Sequence, residues 1–414
     1  MLPGGLRVVT ERMPASRTFS VGFFVGVGSR HETPVLHGAS HFLEHVLFKG
    51  TRRRRPEEIS SAIESVGGDI NAYTAKEHTC FYARVLDTDA ALAVDVLTDM
   101  LTDSLVASRE VDAERAVILD EIAMHADDPT ETVQELVNGQ LFGDSALGLP
   151  VIGTQASIAA LSRRQIVGHW RRHYQPSSLV VAAAGNVDHD RLVAQLGGLD
   201  AMPSAAAPRP RPSTTMGRSS TVLTRVRRLE QCSAVLAFPG PAVFDGRRYP
   251  VGLLSLIVGG GMSSRLFLEV RERRGLTYGI DAGETAYSDA GVWSVDWQCA
   301  PDKLTDIAAL VKATLLDVAE HGVTAAELSR AQGQMRGQTV LAFEGPSSRM
   351  SRLGANTLIG DDRTLTEVLN RFDAVTLAEV QREAADLFAA APVLGVVGPR
   401  VASAPLTRLL KDWP

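Results

Sequence analysis

The sequence HGASHFLEHVLFKGT, at residues 37–51, places two histidines and a glutamate within about one turn of a predicted helix. At about 100° per residue, His45 lies about 40° around the helix from His41, so both imidazoles can bind a single ion. Glu44 lies beside that face, and apolar residues occupy the positions between. This stretch is therefore expected to be the chemical centre around which the chain is folded.

The order His-x-x-Glu-His reverses the His-Glu-x-x-His order and is typical of the inverzincin type of zinc hydrolase. In such sites the carboxylate activates water and does not bind the metal. The alternative is that His41 and His45 are ordinary helix histidines and that Glu44 is a solvated carboxylate. A motif this short matches by chance in about 1% of chains of this length, so other residues have to decide.

Length and composition indicate a soluble globular protein with more than one domain. The chain has 414 residues, of which 45% are hydrophobic and 22% are charged, and its formal net charge is −6. A chain of this length usually forms two to four domains. The negative charge disfavours a general nucleic-acid binder, and the basic run at residues 52–55 is interpreted as a solvated loop.

The three cysteines, Cys80, Cys232 and Cys299, are far apart and lie in apolar, strand-like segments. They predict buried free thiols in a reducing compartment, and neither a disulfide framework nor a thiolate metal site. Residues 1–5 lead directly into a strand-like segment, without the features of a secretion signal or presequence. No apolar run approaches the about 20 residues that a membrane-spanning helix needs. We therefore expect a cytoplasmic protein without membrane insertion.

Strand and helix signals occur in the same order in the two halves of the sequence. In the first half, strands are predicted at residues 6–10, 19–28, 69–74, 79–85 and 179–185. Its helices are predicted around the motif at residues 41–45 and at residues 56–66, 90–104, 109–126, 129–141 and 157–174. The second half repeats this layout, with strands at residues 233–239, 278–287, 292–299 and 393–398 and helices from residue 249, at 264–274 and between 302 and 388.

These patterns predict an α+β protein with two similar, duplicated domains, each a mostly antiparallel sheet packed with helices. The domains are expected at residues 1–201 and 220–414, and only the first contains the His-x-x-Glu-His motif. Residues 202–219 contain four prolines and no hydrophobic periodicity. They are interpreted as an extended linker.

Two histidines leave a catalytic zinc ion one protein ligand short, and a carboxylate is the expected third ligand. Glu114 and Glu121 are seven residues apart in an acidic helical segment, so they lie nearly in register on one face. One of them could bind the metal while the other supports a ligand. Asp120 and His125 are further candidates, and helix geometry alone leaves all these alternatives open.

Three stretches, at residues 41–51, 67–74 and 114–121, resemble the pitrilysin-type (M16) zinc metallopeptidases, which include insulin-degrading enzyme and the mitochondrial processing peptidase. In that family the third ligand follows the second histidine by about 76 residues, and Glu121 lies 76 residues after His45. The resemblance implies that His41, His45 and Glu121 bind one zinc ion, that Glu44 is the catalytic base and that Glu114 supports a ligand. Many relatives have His-Pro before the Leu-Gly at residues 147–148, and this chain departs from that pattern.

The resemblance extends to both halves and implies residues that contact the substrate. Arg271 and Tyr278, seven residues apart, match a segment whose arginine and tyrosine reach the bound peptide. Both could instead be ordinary surface or half-buried residues. Asn71 and Ala72 lie on a stretch that resembles the family's edge strand, onto which an extended substrate adds through backbone hydrogen bonds.

The family resemblance implies a zinc-dependent endopeptidase or oligopeptidase that hydrolyses extended peptides or unfolded segments in an enclosed chamber. The chain resembles the half-length members, such as the processing peptidase β subunit and bacterial processing-protease-like peptidases, with the architecture of pitrilysin-type and LuxS-like metallohydrolases. Full-length relatives enclose the substrate with four such domains, so this two-domain chain is expected to form a homodimer. The alternatives are a non-catalytic partner subunit of a processing-peptidase-like complex and a metallochaperone-like binding protein. All motif residues are present, which disfavours the first, and Glu44 would be surplus in a closed zinc site, which disfavours the second.

Overall fold

The structure is a computed structural model of the chain, and it describes residues 1–202, 214–217 and 219–413. The chain forms two compact units, each assembled from three segments. Unit 1 comprises Met1–Ala123, Pro150–Arg211 and Val340–Asp362, and unit 2 comprises Met124–Leu149, Pro212–Thr339 and Arg363–Pro414. Most of the predicted linker at residues 202–219 lies outside the described residues.

The described residues form ten strands, numbered in chain order: β1 (Arg7–Arg12), β2 (Thr18–Val25), β3 (Asp69–Thr74), β4 (Thr79–Leu86), β5 (Leu179–Gly185), β6 (Thr221–Val226), β7 (Cys232–Gly240), β8 (Ile280–Ala286), β9 (Gly291–Cys299) and β10 (Val393–Gly398). The α-helices of the first half are α1 (Ala39–Leu47), α2 (Pro56–Glu64), α3 (Ala90–Asp103), α4 (Ser108–Asp127), α5 (Pro129–Phe142), α6 (Gln155–Ala160), α7 (Arg163–His173), α8 (His189–Gln195) and α9 (Gly197–Asp200). Those of the second half are α10 (Arg248–Val258), α11 (Leu304–His321), α12 (Ala325–Ala342), α13 (Pro346–Ile359), α14 (Leu365–Asp373), α15 (Leu377–Phe388) and α16 (Ser403–Lys411).

Each unit is built on one five-stranded sheet, and the two sheets have the same strand order. Sheet 1, in unit 1, has the order β1-β5-β2-β4-β3, and sheet 2, in unit 2, has the order β6-β10-β7-β9-β8. Only the first pair in each sheet, β1 with β5 and β6 with β10, is parallel among the described strands. The equivalence confirms the predicted α+β fold with two similar, mostly antiparallel sheets.

One face of each sheet is covered by a helix that comes from the other half of the sequence. In unit 1, Met350 of α13 packs on Phe24 and the other apolar residues of that face of sheet 1. The packing is close, since a Cβ at Gly354 would lie 2.0 Å from the Phe24 ring. In unit 2, α5 packs on sheet 2 in the same way, with Val133 and Val137 in a buried cluster. The compact units therefore differ from the predicted domains, residues 1–201 and 220–414, because each unit contains one helix from the other half of the sequence. The domain boundaries stay a prediction.

Two local expectations are wrong, and one strand was not predicted. The helix at residues 157–174 is broken into α6 and α7, because Ser162 and Gln165 form reciprocal hydrogen bonds that start a new helix. Strand β6, which pairs with β10, was not expected at the start of the second half. The run at residues 52–55 is not a fully solvated loop, because Arg53 and Arg54 form ion pairs with the buried Asp99 of α3 at 3.0 and 2.6 Å.

Cys80, Cys232 and Cys299 are buried and free. None of the helices in the described part of the chain has the length and apolar character that crossing a membrane requires.

Candidate metal centre

Helix α1 of unit 1 carries the three motif residues, His41, Glu44 and His45. Its N-cap residue is Gly38, which has φ +90° and no side chain that could cap the helix. A residue outside the helix therefore caps its first turn. The carboxylate of Glu32 accepts hydrogen bonds from the backbone N–H groups of Gly38 and Ser40 at 2.7 and 2.6 Å. Burial raises the pKa of Glu32 to about 7, although these hydrogen bonds oppose the shift. Glu32 thus supplies the cap that the glycine cannot.

Glu121 of α4 completes a group of three donors with His41 and His45. Their ligand atoms all lie within 4.8 Å of one another. Glu121 Oε2 is 3.8 Å from His41 Nε2 and 3.6 Å from His45 Nε2. Two ligand atoms on a tetrahedral zinc ion are about 3.4 Å apart, and two imidazoles with one carboxylate are a typical catalytic donor set. The residues therefore fit a zinc ion.

Glu114 holds His45 through Nδ1, the ring nitrogen other than the one that faces Glu121. His45 Nδ1 donates a hydrogen bond to Glu114 Oε2 at 3.0 Å, and Lys49 Nζ lies 2.6 Å from the other carboxylate oxygen. Glu114 is 5% exposed, so its charge is held by these two partners in a buried position. The arrangement fixes the imidazole with its Nε2 towards Glu121, as outer partners of metal ligands do.

The other ligand candidates on α4 lie elsewhere. Asp120 is exposed to solvent, and His125 forms an ion pair with Glu131. Neither belongs to the donor group of His41 and His45. The geometry thus favours Glu121 among the alternatives that helix periodicity left open.

Glu44 lies beside the donor group without belonging to it. Thr74 Oγ1 donates a hydrogen bond to Glu44 Oε2 at 2.6 Å. Burial raises the pKa of Glu44, the Thr74 hydrogen bond and the charge of His45 lower it, and the charge of Glu121 raises it. The Glu44 carboxylate is therefore held in a defined, largely desolvated position next to the three candidate ligands.

Strand β3 leads to this carboxylate from the edge of sheet 1. Among the described residues, β3 pairs with β4 alone, so its other edge carries no strand. Ala72 packs with the core on the α1 side, whereas Asn71 is exposed and its Oδ1 accepts the Ala72 N–H at 2.8 Å. Thr74, the last residue of β3, is the residue that binds Glu44. The structure thus places Asn71 and Ala72 on an open strand that ends at the metal centre.

Arg271 and Tyr278 are brought together in unit 2. The Arg271 guanidinium lies 5.5 Å from the centre of the Tyr278 ring and also binds Glu272 at 2.6 Å. Tyr278 is 90% exposed. Arg271 lies on a π-helix, Phe267–Glu272, within the helix that the sequence predicted at residues 264–274. The Tyr278 ring of this pair is therefore open to solvent.

Three residues of the centre were not identified from the sequence: Glu32, Lys49 and Thr74. Lys49 carries a signal that could have found it, because it follows His45 by four residues and so lies on the same side of the helix. Thr74 and Glu32 lie 30 and 12 residues from Glu44, and only the fold brings them to α1.

Comparisons with known proteins show which family the chain belongs to. Residues 7–155 match the family model described as Insulinase (Peptidase family M16), and residues 160–335 match the one described as Peptidase M16 inactive domain. An uncharacterized zinc protease of Streptomyces coelicolor is 46% identical over 96% of this chain and 88% of its own length. Another, from Bacillus subtilis, is 35% identical over 95% of this chain and 96% of its own length.

Solved structures show the same fold at low sequence identity. A peptidase M16 inactive domain from Pseudomonas fluorescens has a TM-score of 0.90 at 20% identity and covers 97% of both chains. A protease from Helicobacter pylori also has a TM-score of 0.90, at 19% identity, and covers 96% of this chain and 98% of its own. Because relatives with 46% and 35% identity match over almost the whole length, the chain belongs to peptidase family M16.

Proposed function

We propose that the chain is a zinc-dependent endopeptidase or oligopeptidase that hydrolyses extended peptides or unfolded segments in an enclosed chamber. The observation that carries this proposal is the position of Glu44, which lies beside the group of His41, His45 and Glu121 without being one of the three donors. A site that only stores zinc needs no such carboxylate, whereas hydrolysis needs a base. The names of the relatives, zinc proteases, support the same activity.

The residues have distinct roles in this reaction. When bound by His41, His45 and Glu121, one zinc ion per chain supplies a Lewis acid that polarises the substrate carbonyl and makes water nucleophilic at neutral pH. Glu44 takes the proton of the attacking water and delivers it to the leaving amine. Glu114 keeps the His45 ring in the orientation that the geometry shows.

The substrate is proposed to bind as an additional strand. The open edge of β3 offers backbone groups to an extended peptide, and its last residue, Thr74, touches Glu44. A peptide on this edge therefore runs past the catalytic carboxylate. Asn71 and Ala72 are the residues of β3 that we expect to bind its backbone.

A digest of proteome-derived peptides, with and without a chelator, tests the proposed activity. We expect mass spectrometry to find cleavage inside the peptides, its loss after chelation and its return with zinc. The removal of terminal residues alone would contradict an endopeptidase. Cleavage that continues after the metal has been removed would contradict the zinc mechanism.

We further propose that the active form is a homodimer in which Arg271 and Tyr278 of one chain reach the metal centre of its partner. The metal ligands belong to unit 1, whereas this pair belongs to unit 2 and exposes the Tyr278 ring. Arg271 and Tyr278 would hold the peptide or the developing oxyanion. Each site would then need residues of two chains.

Mixing two inactive variants tests this arrangement. In a dimer of one Glu44→Gln chain and one Tyr278→Phe chain, the Tyr278→Phe chain keeps its Glu44 and receives the intact Tyr278 of its partner. One of the two shared sites is therefore intact. Since half of the dimers are mixed after subunit exchange, about one quarter of the wild-type activity should return. Each variant alone, taken through the same exchange procedure, is the control.

Two results would contradict the shared site. One is no recovery of activity although subunit exchange is demonstrated with labelled chains. The other is an active enzyme that is monomeric in light scattering. Neither result would affect the proposed zinc chemistry.

A further inference from the structure

The two faces of β3 have different surroundings. Ile70 and Ala72 pack on the α1 side of sheet 1, the side of the metal centre. Tyr73 points to the other face, where its ring contacts that of Tyr82, a residue that packs on the cluster under α13. Side chains alternate along an extended strand, so a peptide that pairs with β3 sends every second side chain to this second face.

That second face carries an open pocket beside β3. It has a volume of about 680 Å³, and the residues that line it include Tyr73, Tyr82, Phe343, Ser347, Met350 and Arg352. All of them belong to unit 1. Met350 is fully buried, and Tyr73 is 39% exposed. Three aromatic rings and a methionine thus line a space that solvent can enter, together with serine, arginine and asparagine side chains. We call it the tyrosine pocket.

The position of this pocket matches the path of the peptide. A strand added to β3 lies about 4.8 Å from it, and directly opposite side chains on one face have Cβ atoms about 5 Å apart. A peptide side chain opposite Tyr73 would therefore lie against Tyr73, the lining residue of the pocket that belongs to the edge strand. No aspartate or glutamate is among the described residues that line it. The lining favours a large apolar or aromatic side chain over a lysine or arginine.

We propose that the tyrosine pocket is a specificity subsite, which binds a large apolar or aromatic side chain of the extended peptide on the face of sheet 1 opposite the metal centre. This inference rests on the proposed function, because it assumes a peptide on the edge of β3. It predicts that the side-chain preferences at successive positions of the substrate alternate. Positions that face the pocket select phenylalanine or leucine, and the positions next to them do not depend on it.

Binding measurements can test the subsite without hydrolysis. Fluorescein-labelled peptides of about 12 residues, with glycine, lysine or phenylalanine at one scanned position, are titrated into the Glu44→Gln chain and followed by anisotropy. At the position that faces the pocket, the phenylalanine peptide should bind about tenfold more tightly than the glycine peptide. In the Tyr73→Ala and Phe343→Ala variants of this chain, that ratio should fall to about twofold.

Leu86→Ala is the matched control. Leu86 is an exposed apolar residue on β4, the strand of Tyr82, and lies on the same face four residues away. It is outside the tyrosine pocket, so the tenfold ratio should persist in this variant. The proposal would be overturned if Tyr73→Ala and Phe343→Ala left the ratio unchanged, or if Leu86→Ala lowered the ratio as much as they do. Failure of the proposed function would instead appear as an absence of hydrolysis by the wild-type chain.

Discussion

A Glu121→Gln chain is expected to lose more than about 100-fold in zinc affinity. Glu121 Oε2 lies 3.8 and 3.6 Å from the two imidazole nitrogens that face it, so its carboxylate is the third donor and the only anionic one of the group. An amide has nearly the same shape but no charge to offset that of the dication. Loss of an outer partner of a ligand costs about 10–100-fold, and loss of a ligand should cost more. Competition with a chromophoric chelator measures the affinity.

Two neighbours on the same helix serve as controls for this measurement. Glu114→Gln should weaken zinc binding by about 10–100-fold, because Glu114 only holds the ring of His45. Asp120→Asn should change little, because Asp120 is exposed and lies outside the donor group. A larger loss at Glu114 than at Glu121 would mean that their roles are exchanged. Circular dichroism of the three variants shows whether α4 is intact.

The position of His41 and His45 on one helix face could be predicted from their spacing alone. The separation of His41 and His45 by four residues fixes both rings on one face of α1, whatever the tertiary structure. The same periodicity could not separate Glu114 from Glu121, because residues seven apart share a face. Only the fold decides which carboxylate meets Nε2 and which meets Nδ1 of His45. The family resemblance implied that Glu121 is the ligand and that Glu114 supports a ligand, and this assignment stays a prediction.

Contacts between distant segments could not be predicted. The pairing of Arg54 with Asp99 and the hydrogen bond from Thr74 to Glu44 join residues 45 and 30 positions apart. Each depends on how strands and helices are assembled, and hydrophobic periodicity predicts the elements but not their assembly. The helices α5 and α13 are a further case, since each had a clear helical pattern, but nothing in that pattern assigned it to the sheet of the other half. By contrast, the break at Ser162 had a local signal, the capping box with Gln165.

A Glu44→Gln chain should lose about 10²–10⁴-fold in kcat/KM for peptides, the usual contribution of a general base. The amide has the same shape as the carboxylate and can still accept the hydrogen bond from Thr74, so the helix should not be disturbed. It cannot take a proton from water at neutral pH. Zinc should stay bound, because Glu44 is not among the three donors.

The most direct test of the zinc peptidase account measures metal content and peptide hydrolysis on the same preparation of the Glu44→Gln chain, with the wild-type chain beside it. We predict about one zinc per chain in both proteins, and hydrolysis by the wild-type chain alone. A Glu44→Gln chain that has lost its zinc would contradict the account, because Glu44 would then be a ligand. A variant that keeps both its zinc and its activity would show that the base is another residue.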